Sequence, residues 1–123
     1  MFLNSELFSE KINFSSANPF SFNDIIERLS DQEEQLVSGD LKFPQALSET
    51  NKKYPLVIGV AGSLGWKKHH LEQLEMYRNM GIATFELHSF SSRGVESTVG
   101  TQIEVTTAML ILDSYKALDE LSK

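Results

Sequence analysis

The residues with the clearest chemical potential sit in a small-residue turn, Gly62-Ser63-Leu64-Gly65, and in the polar stretch that opens at His88. An apolar run dense in β-branched residues, Leu56 to Ala61, leads into the turn, and a helical pattern from Lys67 to Met80 leaves it. A short run that is apolar on both sides predicts a buried parallel strand. A glycine turn between such a strand and a helix leaves backbone N–H groups free at the helix N-terminus. Open α/β sheets bind anions or developing negative charge there. Two chemistries fit, a phosphate cradle or an oxyanion hole.

The other polar candidates are read conservatively. Ser63 lies in a glycine loop and does not precede the helix that a nucleophile needs. His69 and His70 open a helix, and neighbours on a helix diverge by about 100°, so they are poorly placed to share a metal. His88 ends a strand at the edge of the sheet that would line a site, and it reads first as a structural hydrogen-bonding residue. Arg93 offers a planar fork of donors suited to a carboxylate. It could equally pin its own long loop through carbonyls or a nearby acid. Trp66 reads as a core or rim aromatic at the helix start. No Gly-x-Ser-x-Gly occurs in the sequence.

These residues must be positioned by a strand over about Pro55–Ala61, a helix, and a second strand over Ile82–Leu87. Strand, helix, strand over so short a span predicts a βαβ unit with parallel strands. Leu71, Leu74, Tyr77 and Met80 form the expected apolar stripe of the helix, and Gly81 stands where a glycine would stop it. His88 to Gly100 is a long polar loop. Thr101 and Glu104 have capping-box spacing, predicting a last helix from Gln102 to Leu121 with Ala108, Ile111, Leu112, Tyr115 and Leu118 inward. Upstream, residues 1–18 read as an irregular arm with at most a short strand. Ser21 to Leu29 reads as a short helix capped by Ser21, with Asp24 in its first turn and Ile25, Ile26 and Leu29 on its apolar side. Gln35 to Phe43, around Ser38-Gly39-Asp40, reads as a bulged strand or a tight hairpin. Gln45 to Lys53 reads as a polar loop.

Composition sets outer limits. At 123 residues the chain suits one small domain or part of a larger one. A formal net charge of −6 and a pI near 5.0 argue against a nucleic-acid binder, which normally needs a basic face. No apolar run is long enough to span a membrane, and the first residues lack the pattern of a secretory signal. The absence of cysteine excludes disulfides, thiolate metal sites and a cysteine nucleophile within this chain. A cytoplasmic location fits, and no cofactor or metal is expected.

Two family resemblances attach to the glycine turn. Gly59, Gly62 and Gly65 look like the dinucleotide-binding loop of extended short-chain reductases. The expected ribose-binding acid is absent from the end of the next strand, where Leu87 and His88 stand, and Glu86 comes early. The block Lys53 to Gly65 resembles the strand and first loop of α/β-hydrolases. Met80 to Gly94, Val95 to Gln102 and Asp113 to Leu118 resemble the matching segments of the dienelactone hydrolase family. This second resemblance covers residues 36–123 in register.

The resemblance implies an α/β fold: the N-terminal portion of an α/β-hydrolase with βαβ units and a mainly parallel sheet, ending before the nucleophile-bearing strand. Residues 1–34 would be an N-terminal arm and 35–123 the partial hydrolase domain. It implies hydrolysis of an ester, lactone or related acyl bond through an acyl-enzyme, with a small ester or lactone as partner. The backbone N–H of Ser63, with Gly62, would serve the oxyanion hole. Arg93 and His88 would contact substrate. Nucleophile, acid and catalytic histidine are missing, so the chain alone is expected to be inactive. Ala61 stands where the family often has a histidine. The alternatives are a nucleotide-binding reductase fragment and a non-catalytic module completed by a partner, with self-association through the uncovered last helix.

Overall fold

The computed structural model describes residues 9–44, 53–101 and 103–123. The apolar positions Phe2, Leu3 and Phe8, most of the Gln45–Lys53 loop, and Gln102 lie outside the described residues. The strands are β1 (Ser9–Ser16), β2 (Gln35–Lys42), β3 (Leu56–Gly59) and β4 (Ala83–His88). The helices are α1 (Phe22–Ile26), α2 (Lys68–Asn79) and α3 (Thr107–Leu121). Single 3-10 turns cover Leu29–Asp31 and Ser91–Arg93.

The strands form one sheet in the order β1-β2-β4-β3. The βαβ expectation holds for β3 and β4, which pair in parallel. The expected mainly parallel sheet does not, because β1–β2 and β2–β4 are both antiparallel. The chain therefore forms a mixed α/β sheet. The run around Leu56 is the edge of that sheet among the described residues, and all four of its residues are half-buried rather than buried. Apolarity on both faces marks where a strand packs, not how many neighbours it pairs with.

Alternation along the strands separates two faces. Ile12, Phe14, Val37, Leu41, Leu56, Ile58, Phe85 and Leu87 join Ala117 and Leu121 of α3 in the main core. Gly59 pairs with Glu86, so it lies on the opposite face, and Leu74 of α2 packs against it there. The two long helices thus cover opposite faces. Besides Leu36 and Val57, the second face is polar: it carries Ser38, Asp40, Lys42, Glu86 and His88, and Thr84, which is buried and accepts from Arg78 of α2 at 2.7 Å.

The irregular N-terminal arm proves to contain an eight-residue strand, paired along its whole length with β2. Ile12, Phe14 and Ser16 alternate inward, a period of two that the neighbouring polar residues disguise. Gln35–Lys42 is a continuous strand, not a hairpin. Gly39 sits in its middle because the Phe85 ring occupies the space where a side chain would start, with the Glu86 carbonyl beside it. α1 is shorter than expected, and Ile26 is exposed. The Asp24 carboxylate pairs with Arg28 and accepts from the N–H groups of Ser21 and Phe20, which lowers its pKa.

The helix stripes also differ from expectation. Of Leu71, Leu74, Tyr77 and Met80, only Leu74 is buried. Steps of three residues fall about 60° short of a full turn, so such a stripe winds off one face. α3 begins at Thr107, not Gln102. Thr106 Oγ1 caps it by accepting from Met109 N–H at 3.1 Å. The Thr101 carbonyl accepts from Glu104 N–H in a preceding turn. The inner face of α3 is Ala108, Met109, Leu112, Asp113 and Ala117, whereas Ile111, Tyr115 and Leu118 point outward and are exposed. No helix among the described residues is long and apolar enough to cross a membrane.

Gly39→Ala is expected to force the Phe85 ring out of its place in the core. The loss of stability should be about 1–3 kcal/mol, read from the denaturant midpoint at unchanged m-value.

Candidate functional site

The site is built where the parallel pair ends. β3 stops at Gly59, and the turn closes with a hydrogen bond from Gly65 N–H to the Gly62 carbonyl at 2.9 Å. Gly65 has φ +78°, and a side chain there would meet the Glu96 carbonyl. The Ser63 carbonyl accepts from Thr98 N–H at 2.9 Å and from Ser97 Oγ at 3.1 Å. The Trp66 indole donates to the Leu87 carbonyl at 2.8 Å. These bonds tie the turn after β3 to the strand and loop of β4. Among the described residues no acceptor engages the N–H of Ser63.

A cavity of about 360 Å³ opens beside the turn, lined mainly by Ala61, Leu64, Trp66, Leu87, Phe90 and Leu110, with His88 at its wall. A second cleft of about 420 Å³ is lined by Gly62, Ser63, Thr98 and Ile103 among others. The turn therefore stands between an apolar cavity and a more polar one, with an unengaged donor at its corner. Leu64 and Gly65 line the apolar cavity and Gly62 and Ser63 the more polar cleft, so the turn borders both.

The glycine spacing has a different basis from a phosphate cradle. Gly59 is covered by Trp66 and Leu74, Gly65 lies against Glu96, and of the three only Gly62 has open space at its Cβ position. The helix does not follow at once. α2 starts at Lys68, with Trp66 and Lys67 between it and Gly65. Its first turn is held by Lys67 N–H donating to His70 Nδ1 at 3.2 Å. The His69 and His70 rings are not splayed apart as expected, since their centroids lie 3.9 Å from each other.

The Arg93 side chain is buried, and all five of its N–H donors are engaged. Nε donates to Asn18 Oδ1 at 2.6 Å, while the two terminal nitrogens donate to the carbonyls of Ser89 and Ala17 and to both oxygens of Asp113, at 2.7 and 3.0 Å. This is the loop-pinning geometry of the two roles open to Arg93. A substrate carboxylate would have to displace one of these partners. Asp113 is fully buried, and Ser16 Oγ also donates to it at 2.6 Å. No role for Asp113 emerges from the sequence. The signal for it is a lone acid inside the apolar run of α3, a position that requires a partner.

His88 lies at the cavity wall and also faces the polar side of the sheet. Its Nε2 is 3.0 Å from Asp40 Oδ2 and 3.2 Å from Glu86 Oε2. The hydrogen bond to Glu86 raises the His88 pKa above the ordinary 6.5, burial opposes that, and Asp40 adds to it. Glu86 outweighs the slightly nearer Asp40 because its side chain is 12% exposed against 36%, so water screens it less. Neither Asp40 nor Glu86 is marked as a site residue by sequence alone. The i, i+2 spacing of Glu86 and His88 on one strand is visible there, but the register that adds Asp40 is not.

Removing either member of the Arg93–Asp113 pair leaves an uncompensated buried charge. Arg93→Ala and Asp113→Ala should each cost about 3–5 kcal/mol in chemical denaturation. The double variant should cost less than the sum. The raised pKa of His88 means that folding favours its protonated form. The stabilisation is complete below pH 6.5 and is lost as the pH rises through the raised value. In metal-free buffer, melting temperature should fall over that window, and His88→Asn should flatten the fall.

The chain matches no family model and no curated protein, so its function is argued from this geometry.

Proposed function

We propose that this chain is the N-terminal part of a dienelactone hydrolase-type α/β-hydrolase, with the Ser63 N–H serving the oxyanion hole of ester or lactone hydrolysis. The observation that carries this reading is the turn Gly62–Gly65 at the end of the parallel pair, beside an apolar cavity and with the Ser63 amide unengaged among the described residues. A donor held in this way needs no reorganisation when negative charge develops on a carbonyl oxygen.

The topology supports the same reading. β3 has an unpaired outer edge among the described residues, and α3 lies on the face opposite α2. A right-handed return from α3 brings a parallel strand to that free edge. Its C-terminal end would then stand next to the Ser63 turn, where a nucleophile elbow belongs in this architecture. The nucleophile, the acid and the catalytic histidine belong, on this reading, to chain beyond residues 1–123. Further parts of the domain would cover the outward Ile111, Tyr115 and Leu118 of α3.

Ser63 and Leu64 are the central residues of the Gly62–Gly65 turn, and among the described residues only glycines have positive φ. Proline suits the first central position of such a turn and removes its N–H. In the protein isolated whole from its source, Ser63→Pro should lower kcat on an activated ester about 100- to 1000-fold, with KM little changed. Ser63→Ala, which keeps the amide, should leave kcat near its original value. Residues 1–123 alone should show no turnover. Hydrolysis by that fragment, or full activity of the proline variant, overturns the reading.

A further inference from the structure

We propose that Asp40, Glu86 and His88 form a binding site for a divalent transition-metal ion such as Zn2+, bridging β2 and β4 on the polar face of the sheet. One donor atom from each residue lies within 4.8 Å of the other two. His88 Nε2 is 3.0 Å from the Asp40 oxygen and 3.2 Å from the Glu86 oxygen. Zinc bonds to imidazole nitrogen and carboxylate oxygen are about 2.0–2.2 Å long, which puts neighbouring donors about 2.9–3.5 Å apart at right or tetrahedral angles. The two observed nitrogen–oxygen separations fall in that interval, and the two carboxylate oxygens lie within 4.8 Å of each other.

The ligands are positioned by the sheet itself. Asp40 pairs directly with Glu86 across β2 and β4, and His88 follows two residues later on the same face. These are the two inner strands, held on both sides by neighbours. Two carboxylates placed opposite each other repel. Among the described residues no lysine or arginine forms an ion pair with either of them, and His88 is their shared partner. A single imidazole N–H cannot fully serve two carboxylates, one of which is 12% exposed. A dication would neutralise both and accept the imidazole nitrogen as a third ligand. One nitrogen and two oxygens suit zinc or manganese better than soft thiophilic ions. Three protein ligands leave at least one position for water or another oxygen donor. Sequence spacing does not reveal these ligands, because Asp40 and His88 are 48 residues apart and only the strand register joins them. The proposal stands independently of the hydrolase reading.

The test is calorimetric titration of the chelator-stripped chain with ZnCl2. One ion per chain should bind and raise the melting temperature. Asp40→Asn and His88→Gln should each weaken binding by at least about tenfold. The His69→Ala/His70→Ala double variant removes the other histidine pair and should bind as the parent does. A second measurement avoids the variants: the 15N shift of the imidazole nitrogens in the parent chain should change at His88 on addition of zinc. No uptake of zinc, a shift confined to His69 and His70, or binding abolished only by the double variant overturns the proposal.

Discussion

The buried pair between Arg93 and Asp113 holds three otherwise separate parts of the chain in one place. Asp113 belongs to α3, Arg93 to the turn after β4, and the carbonyl of Ala17 and side chains of Ser16 and Asn18 to the end of β1. Desolvating two charges is costly, and the attraction between them offsets that only when every remaining donor and acceptor is met. Here the guanidinium has all five donors engaged, and both aspartate oxygens accept. The consequence is geometric more than energetic. The pair joins the exit of the chain from β4 to the rotation in which α3 lies over the core. That rotation puts Ala117 against Phe85 and Leu87 and leaves Ile111, Tyr115 and Leu118 outside.

The fixed exit from β4 in turn shapes the neighbourhood of the Gly62–Gly65 turn. Thr98 and Ser97 reach the Ser63 carbonyl from the loop that Arg93 anchors. The carbonyl of Ser63 is therefore occupied while its N–H stays unengaged among the described residues. Trp66 closes the arrangement from the other side by filling the space above Gly59 and donating to Leu87. Arg93 and the two residues that bind the Ser63 carbonyl thus lie in one stretch of chain after β4.

Each face of the sheet has its own chemistry. The face under α3 is apolar and carries the core. The other face is where α2 packs, and it also carries Asp40 of β2 and Glu86 and His88 of β4. Strand alternation forces this division, because the residues that send Phe85 and Leu87 inward must send Glu86 and His88 the other way.

Much of this is legible in the chain itself. The β3-turn-α2-β4 unit follows from apolar run length, glycine placement and helical spacing, and its parallel pairing follows from the crossover. The small residues of the turn already mark a place where the backbone is left open beside a cavity. What local pattern does not convey is partnership. Gly39 reads as a bulge until the Phe85 ring is placed against it. Thr106, not Thr101, caps α3, because the Thr101 carbonyl is taken by Glu104 N–H before the helix begins. Arg93 reads as a substrate clamp or a pin with equal ease, since the choice depends on Asp113 lying twenty residues on. Residue types and spacing determine which elements form, because those depend on neighbours in sequence. Tertiary structure decides which buried charges meet, which face of a helix turns inward and which strands lie side by side, because those depend on residues that only folding brings within reach.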